Sequence, residues 1–476
     1  MTRIAVIGGG AAGSVVVGEL LRQHRDTPIS VHWFAGTRDP GRGVAYATRA
    51  DHHLLNVRTA GMGMFADDMG AFLRYAETRG FDVGGADFVP RAWFGDFIET
   101  TLDGLVTEAR QRGLAIRILK EEAVTVRGSD ELGFVVSSRS GEDFHLDSVV
   151  LAIGALPPDP LPGADPEALC SGAYALDPWH WPGSAADPAH VVVVGTGLTG
   201  ADMILEIASI WPQAQVTAIS RRGRLPETHL AEPGLPYEHQ AELIEAMLAN
   251  PSVRRWTRLL GEAASDESVD WRALLDGLRP ATTRLWRSLP ITERARFLRH
   301  LRPLWEARRH RLPPQTAQAL DALRAEGRLT IRAGRMAGIE GRGPLGVRVS
   351  NASGAEETLV ADRVIQATGL NTAVAETRHR LVRQMLDEGI VRADPLGLGL
   401  AADDDGYLLR PDGSRTTKLR AIGTLLRGSF WECTALAEIR ALARSTASDI
   451  LAMAAPRQSP GRLRTFVPTR RLTLPT

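Results

Sequence analysis

Two stretches of this chain repeat one pattern: "IAVIGGGAAGSVVVGELL" from Ile4 and "HVVVVGTGLTGADMILEIA" from His190. Each starts with a short apolar, mostly β-branched run and passes through three glycines at G-x-G-x-x-G spacing. The glycines are Gly8, Gly10 and Gly13 in the first, and Gly195, Gly197 and Gly200 in the second. Each run ends in an apolar segment with helical character. The first glycine permits a tight turn, the second lets a pyrophosphate approach the backbone, and the third lets the helix pack closely on the strand. The helix N-terminus that follows attracts phosphate charge. The pattern predicts strands over Ile4–Ile7 and His190–Val194, with helices over Ser14–Leu21 and from Gly200 to about Ile210. Two such turns constrain the chain to two Rossmann-like folds.

The repetition extends further. After the first turn come "IRILKEEAVTVRG", "FVVSSRSG" and "FHLDSVVLAIG"; after the second come "LTIRAGRMAGIEG", "VRVSNASG" and "TLVADRVIQATG". Each half thus appends three short β runs and closes on Asp-x-Val-x-x-Ala-x-Gly, Asp147 to Gly154 and Asp362 to Gly369. The predicted class is α/β, with two Rossmann-like dinucleotide-binding domains, each carrying a β-meander, plus a helical insert. The expected division is 1–155 with 371–455, a proline-rich linker over 156–189, 190–222 with 328–370, an insert over 223–327, and a basic tail over 456–476.

Composition narrows the function classes. Lys plus Arg and Asp plus Glu are both 56, so net charge names no polyanionic partner such as nucleic acid. The two cysteines, Cys170 and Cys433, form no CxxC pair, which argues against a disulfide scaffold or a metal site and for a reducing compartment. No apolar run reaches about 18 residues, so no membrane segment is expected and the cytoplasm is the expected location. Whether the chain forms a homodimer is left open. There is no HExxH, no P-loop lysine and no nucleophile elbow.

With these halves stand finer motifs: "GRGVAY" (Gly41 to Tyr46), "LLNV" (Leu54 to Val57), "VPRAWFGDFI" (Val89 to Ile98), "SRRGRLP" (Ser220 to Pro226), "RPLWEARRHRLPP" (Arg302 to Pro314) and "LLRGSFWECTALAEIRALA" (Leu425 to Ala443). On these the chain resembles the two-dinucleotide-binding-domain flavoproteins. It resembles in particular the bacterial FAD/NAD(P)-binding family that includes a urate hydroxylase and the nitrosuccinate-forming aspartate N-oxygenases. The resemblance implies FAD in the first fold, near Arg42 and Asn56, NADPH in the second, and a C-terminal segment returning to the FAD fold. It implies a monooxygenase acting through a flavin C4a-hydroperoxide, with O2 and a small anionic nitrogen-containing metabolite as partners. The leading substrate class is an acidic amino acid such as aspartate, oxidised at nitrogen. The alternatives are urate-like ring hydroxylation, an NADPH-dependent flavin reductase or dehydrogenase, and a non-catalytic dinucleotide-binding protein.

The second site expects NADPH on independent grounds. The strand after its glycine turn ends in Ser220, Arg221 and Arg222. Guanidinium groups there suit a 2′-phosphate, where an acid would suit a free hydroxyl. The other reading is two arginines on a solvated loop. The first site departs from pattern: its second strand, "ISVHWFA", ends in Ala35 where an acid should hold the ribose. Either FAD binds more weakly than usual or Asp39 or Arg38 substitutes.

The insert carries apolar residues at helical spacing, Trp271, Leu274, Leu275 and Leu278, then Phe297, Leu298, Leu301 and Leu304, among many arginines. It is expected to act as an electropositive cap for the substrate. Arg308, Arg309 and Arg311, with Arg91, form the expected substrate-binding set. His310, surrounded by arginines, is expected to stay neutral and to take part in catalysis, or simply to cap a helix end. Glu432 is the candidate catalytic carboxylate, with an ion pair to Arg427 or Arg440 as the other reading. Thr434 with Glu438 is expected to cap the last helix, and Cys433 to pack at its start.

Overall fold

The computed structural model describes residues 1–180, 187–232 and 234–455. The expected basic tail, 456–476, and part of the expected linker lie outside these residues. The first half is built on a six-stranded sheet in the order Tyr407–Leu409, Arg415–Ala421, Ser148–Leu151, Thr2–Ile7, Ile29–Phe34, Ala115–Leu119. Every pairing in it is parallel except that of the Tyr407–Leu409 edge. The second half is an all-parallel sheet in the order Leu329–Ala333, Gln215–Ser220, His190–Val194, Arg363–Gln366, Tyr174–Ala175.

Both first strands read as unbroken apolar runs because both of their faces are buried. Ile4 and Val6 join a core with the helices Ala11–Gln23, Arg91–Gln111 and Leu436–Ala454, while Ala5 and Ile7 face the meander side. Val191 and Val193 likewise face the helices, and Val192 and Val194 the second meander. The meanders are antiparallel, Ala123–Ser129 with Gly133–Ser138 and Asp143–Leu146, and Arg335–Glu340 with Leu345–Ser350 and Glu356–Ala361.

The repeated aspartate has one task in both halves. Asp147 Oδ2 accepts from the Arg3 amide at 2.8 Å, and Asp362 Oδ2 accepts from the Ala189 and His190 amides at 2.8 and 2.9 Å. Each carboxylate ties the end of a meander to the start of its glycine-turn strand, satisfying amides that a parallel edge would leave open.

Two segments sit differently from expectation. The expected insert, 223–327, includes helix Pro314–Ala325, but Leu320 and Leu323 pack in the core of the second sheet, directly before strand Leu329–Ala333. That helix is the crossover of the second fold. The expected linker contributes Tyr174–Ala175 as the edge strand of the second sheet. The insert proper holds the helices Gln240–Ala249, Val253–Ala263, Trp271–Gly277, Thr282–Ser288, Ile291–His300 and Arg302–Arg309. Their core includes Leu398 and Trp431, so the insert is anchored on the C-terminal segment of the first half.

Candidate active site

The glycine turns have matching geometry. Gly8 has φ +127°, and a side chain on it would run into the Ala152 carbonyl oxygen at 2.1 Å. Gly195 has φ +117°, and a side chain on it would likewise run into the Ala367 carbonyl oxygen. These two are glycine because the protein leaves no other choice. The middle glycines are another matter. Gly10 and Gly197 have extended backbones, φ −80° and −77°, that any residue adopts, and a Cβ at Gly197 would meet nothing within 4 Å. At Gly197 the protein itself does not require glycine, which fits a position kept bare for a ligand, whereas a Cβ at Gly10 would lie 3.4 Å from Gly43 Cα. Both helices begin without a side-chain cap, so their first amides are free to face an anion. These cradles fit the pyrophosphates of two dinucleotides. Gly154 and Gly369, at φ +73° and +90°, turn the chain at the ends of the neighbouring strands, with open space around both.

Around the first turn, Arg42 is buried and fully engaged. Its guanidinium donates to Glu99 at two positions of 2.7 Å, to Asp96, and to the Ala92 carbonyl at 3.2 Å. It holds the loop whose Gly41 amide donates to the Gly9 carbonyl at 2.9 Å. Asn56 presents its carbonyl to His229 Nε2 at 3.1 Å, joining the entry of the insert to the first half. The two residues expected to stand in for the acid missing at Ala35 lie on the surface with partners of their own. Asp39 is tied to Lys120 at 2.6 Å, and Arg38 lies against the ring of His180. After the second turn, Arg221 and Arg222 are both exposed, and Arg222 donates to the His300 carbonyl at 3.4 Å.

The expected substrate-binding arginines are not gathered around one anion site. Arg91 pairs with the buried Asp202 at 2.9 Å and donates to the Leu54 carbonyl at 3.0 Å, bracing one half against the other. Arg311 is buried and paired with Asp276, and Arg309 pairs with Glu432 at 3.1 Å. Only Arg308 of the four is exposed, with no carboxylate partner among the described residues.

Glu432 therefore pairs with neither Arg427, which bonds Glu306 at 2.7 Å, nor Arg440, which donates to the Gly61 and Gly63 carbonyls. Trp305 Nε1 donates to Glu432 Oε1 at 3.2 Å. Burial pushes the Glu432 carboxyl above its ordinary range, against the pull of Arg309. His310 is the C-cap of helix Arg302–Arg309, its amide donating to the Glu306 carbonyl at 3.0 Å. Its pKa falls to about 4, chiefly through burial and only secondly through Arg309. The neutral imidazole expected from the sequence is therefore present, but the neighbouring arginines are the lesser cause and tertiary burial the greater. The last helix starts at Leu436 with Ala435 as an uncapped N-cap, and Glu438 bonds Arg279 at 2.9 Å rather than closing a capping box. Cys433 is buried, its thiol pushed up to about 12.

Sequence reasoning missed a polar junction between the halves. His52 Nε2 meets Glu206 Oε2 at 2.7 Å, and His53 bonds Thr48 Oγ1 at 2.7 Å and the Asp202 carbonyl at 3.1 Å. The ligand atoms of His52, His53 and Glu206 lie within 4.8 Å of one another. The histidines are adjacent in sequence; Glu206 arrives from the helix after the second turn, which no local signal announces.

Residues 5–156 match the family described as FAD-NAD(P)-binding. A stretch of 271 residues, half of this chain, is 23% identical to the uncharacterized protein YdhS of Escherichia coli K12. The match spans about half the length of that relative, 48%. Among solved structures, the chain is similar to the ornithine N-hydroxylase of Kutzneria sp. 744, 13% identical with a TM-score of 0.64 over 95% of this chain and 99% of that one. It is similar to L-lysine 6-monooxygenase of Pseudomonas syringae, 16% identical with a TM-score of 0.63 over 95% and 99%. The cadaverine monooxygenase of Erwinia amylovora gives 12% identity and a TM-score of 0.62 over 99% of both chains. At these identities the likeness is one of fold. Among the described residues, no helix is long and apolar enough to cross a membrane.

Proposed function

We propose that this protein is an FAD- and NADPH-dependent monooxygenase that hydroxylates a small nitrogen-containing metabolite. The observation that carries the reading is the pair of bare glycine cradles, each opening on an uncapped helix within a single fold. The whole-chain likeness to N-hydroxylating enzymes supports the choice of chemistry. When bound, the two cofactors supply hydride transfer and oxygen activation. The chain contributes binding, orientation and exclusion of water. The first cradle takes the FAD pyrophosphate at the amide end of helix Ala11–Gln23, and the second takes NADPH, with Arg221 and Arg222 on the 2′-phosphate. The C-terminal segment passes over the first cradle at Gly423, 3.7 Å from Ala12 for a built Cβ, and reaches Trp431 and Glu432 eight and nine residues on. Glu432, held by Arg309 and Trp305, is suited to retain or release a proton near that junction.

For the substrate, an acidic amino acid such as aspartate is the class implied by resemblance, and urate-like ring hydroxylation is the second choice. Arg91, Arg309 and Arg311 are neutralised by Asp202, Glu432 and Asp276, so that choice of substrate rests on the resemblance and not on this set of arginines. The test is aerobic NADPH oxidation by the FAD-loaded protein across acidic amino acids, amines and purines, with labelled O2 and mass spectrometry. Incorporation of label into a nitrogen-bound hydroxyl is expected. NADPH oxidation that yields only hydrogen peroxide with every candidate would leave a flavin reductase in its place.

A further inference from the structure

A cavity of about 620 Å³ lies inside the helical insert, within the range that binds small organic ligands. Its wall is built from leucines together with five tryptophans, Trp256, Trp271, Trp286, Trp305 and Trp431, and Phe297. The polar atoms of that wall are mostly engaged elsewhere. Thr257 donates to the Val253 carbonyl at 2.9 Å and Thr282 to that of Leu278 at 3.1 Å. The Trp256 and Trp286 indoles donate to the Met247 and Gly428 carbonyls at 2.8 and 2.7 Å, and Trp305 to Glu432. What faces the interior is hydrocarbon.

Two features mark the lining of this space. Gly261 lies on the lining within helix Val253–Ala263, where glycine weakens a helix by about 1 kcal/mol relative to alanine. Gly261 is exposed and a Cβ there would meet nothing within 4 Å, so it stands at the open edge of the lining, where nothing in the protein excludes a side chain. Trp431 holds φ +49°, rare for a bulky residue, while stacking on Trp286 at 4.8 Å and meeting Phe297 edge-on at 5.2 Å. Strain is accepted to complete the indole wall.

The charged groups of the lining are Arg308 and Glu227, both exposed. The Arg308 guanidinium lies 6.0 Å from the Trp271 ring, and neither charge has an ion-pair partner among the described residues. The Glu227 amide donates to the Ala307 carbonyl at 2.8 Å, so both charges sit where the insert joins the second half. An arginine beside an apolar chamber selects a carboxylate; a glutamate on the same lining repels a second acidic group.

The geometry points to a binding site in the insert for an amphipathic monocarboxylate, with its long apolar body among the tryptophans and its carboxylate on Arg308. It rests on the monooxygenase reading only for what becomes of the ligand. Dodecanoate is the probe, titrated below its micelle concentration into the full-length protein and followed by indole fluorescence, with succinate and dodecanol as comparisons. Saturable quenching is expected with dodecanoate and none with succinate. Arg308→Gln should weaken dodecanoate at least tenfold while leaving dodecanol within twofold. Gly261→Leu, which places a bulky side chain at the exposed edge of the lining without a clash, should weaken both at least tenfold, and Ala264→Leu serves as a second filling variant at the same edge. Circular dichroism matching the parent qualifies each variant. Absence of saturable quenching by dodecanoate, equal binding of succinate, insensitivity to Arg308→Gln, or unchanged affinity in both filling variants would overturn the site. Dodecanoate binding without oxygenation of any substrate would keep the site and remove the monooxygenase reading; oxygenation without dodecanoate binding would do the reverse.

Discussion

The two glycine turns share a backbone and differ in what covers them. In the first half a Cβ built on Gly43 would lie 2.8 Å from Gly10 Cα, because the loop after the second strand folds over the turn and is locked there by Arg42. In the second half the space over Gly197 is open, and the arginines after the second strand are exposed. One arginine is therefore a structural clamp, and the other pair is available to a ligand. Identical local motifs fix the cradle, whereas its use depends on what the rest of the chain brings to it.

The comparison breaks hardest at the conformationally fixed glycines. Gly8→Ala and Gly195→Ala should each cost on the order of 3 kcal/mol or more, through positive φ and a carbonyl clash. Thermal unfolding would show both midpoints falling, whereas Gly197→Ala should unfold with the parent and lose NADPH affinity alone. A stable Gly195→Ala protein would refute the matched geometry.

Next come the arginines. Alanine at both Arg221 and Arg222 should raise the NADPH Michaelis constant by tenfold or more, about 1.5–3 kcal/mol per charged hydrogen bond, and spare NADH and stability. Arg42→Ala should instead lower stability by about 1–3 kcal/mol, because Glu99 and Asp96 lose their partner, partly offset by their exposure. Steady-state kinetics with both coenzymes, beside denaturant titration, separates the two. Equal losses with NADPH and NADH would show that the exposed pair does not read the phosphate.

The smallest effect concerns the seams between regions. His229 and His310 are held near a pKa of about 4 by burial, and His53 is lowered for the same reason. The unfolded chain takes up these protons near pH 6.5 and the folded chain refuses them. Their contribution is thus intact above about pH 6.5 and is lost as pH falls toward 4. Asp202 acts oppositely: burial raises it to about 6, so the folded state binds its proton first and gains relative stability on acidification. His32 and His379, also lowered by burial, act with the three histidines, and Asp394, Asp403 and Glu432, also raised by burial, act with Asp202. Because the histidines start from about 6.5, they predict a net fall in unfolding midpoint between pH 7 and 5. A flat profile in that range would show that the histidines are solvated in the native state.

Much of the architecture was legible because it is written locally. The unbroken apolar runs Ile4–Ile7 and Val191–Val194 and the glycine spacing specify structure through adjacent residues, while the repeated Asp147 and Asp362 mark the segments that return to Arg3 and His190. The candidate site was legible only as a set of residue types. That Arg309 would meet Glu432, Arg311 Asp276 and Arg91 Asp202 depends on pairings far apart in sequence, and one free acid within reach turns a ligand-binding arginine into a strut. Helix Pro314–Ala325 reads as part of the insert from its sequence, because its apolar spacing does not name the surface it buries against.

The sequence by itself determined the two strand–turn–helix cradles, since an unbroken apolar run, G-x-G-x-x-G spacing and a second apolar segment specify strand, turn and helix from adjacent residues. Only the tertiary structure decided which guanidinium groups stay free, which histidines stay neutral, and that the helical spacing of the insert surrounds a chamber. Charge pairing, desolvation and enclosed volume are sums over distant parts of the chain, and no local pattern contains them.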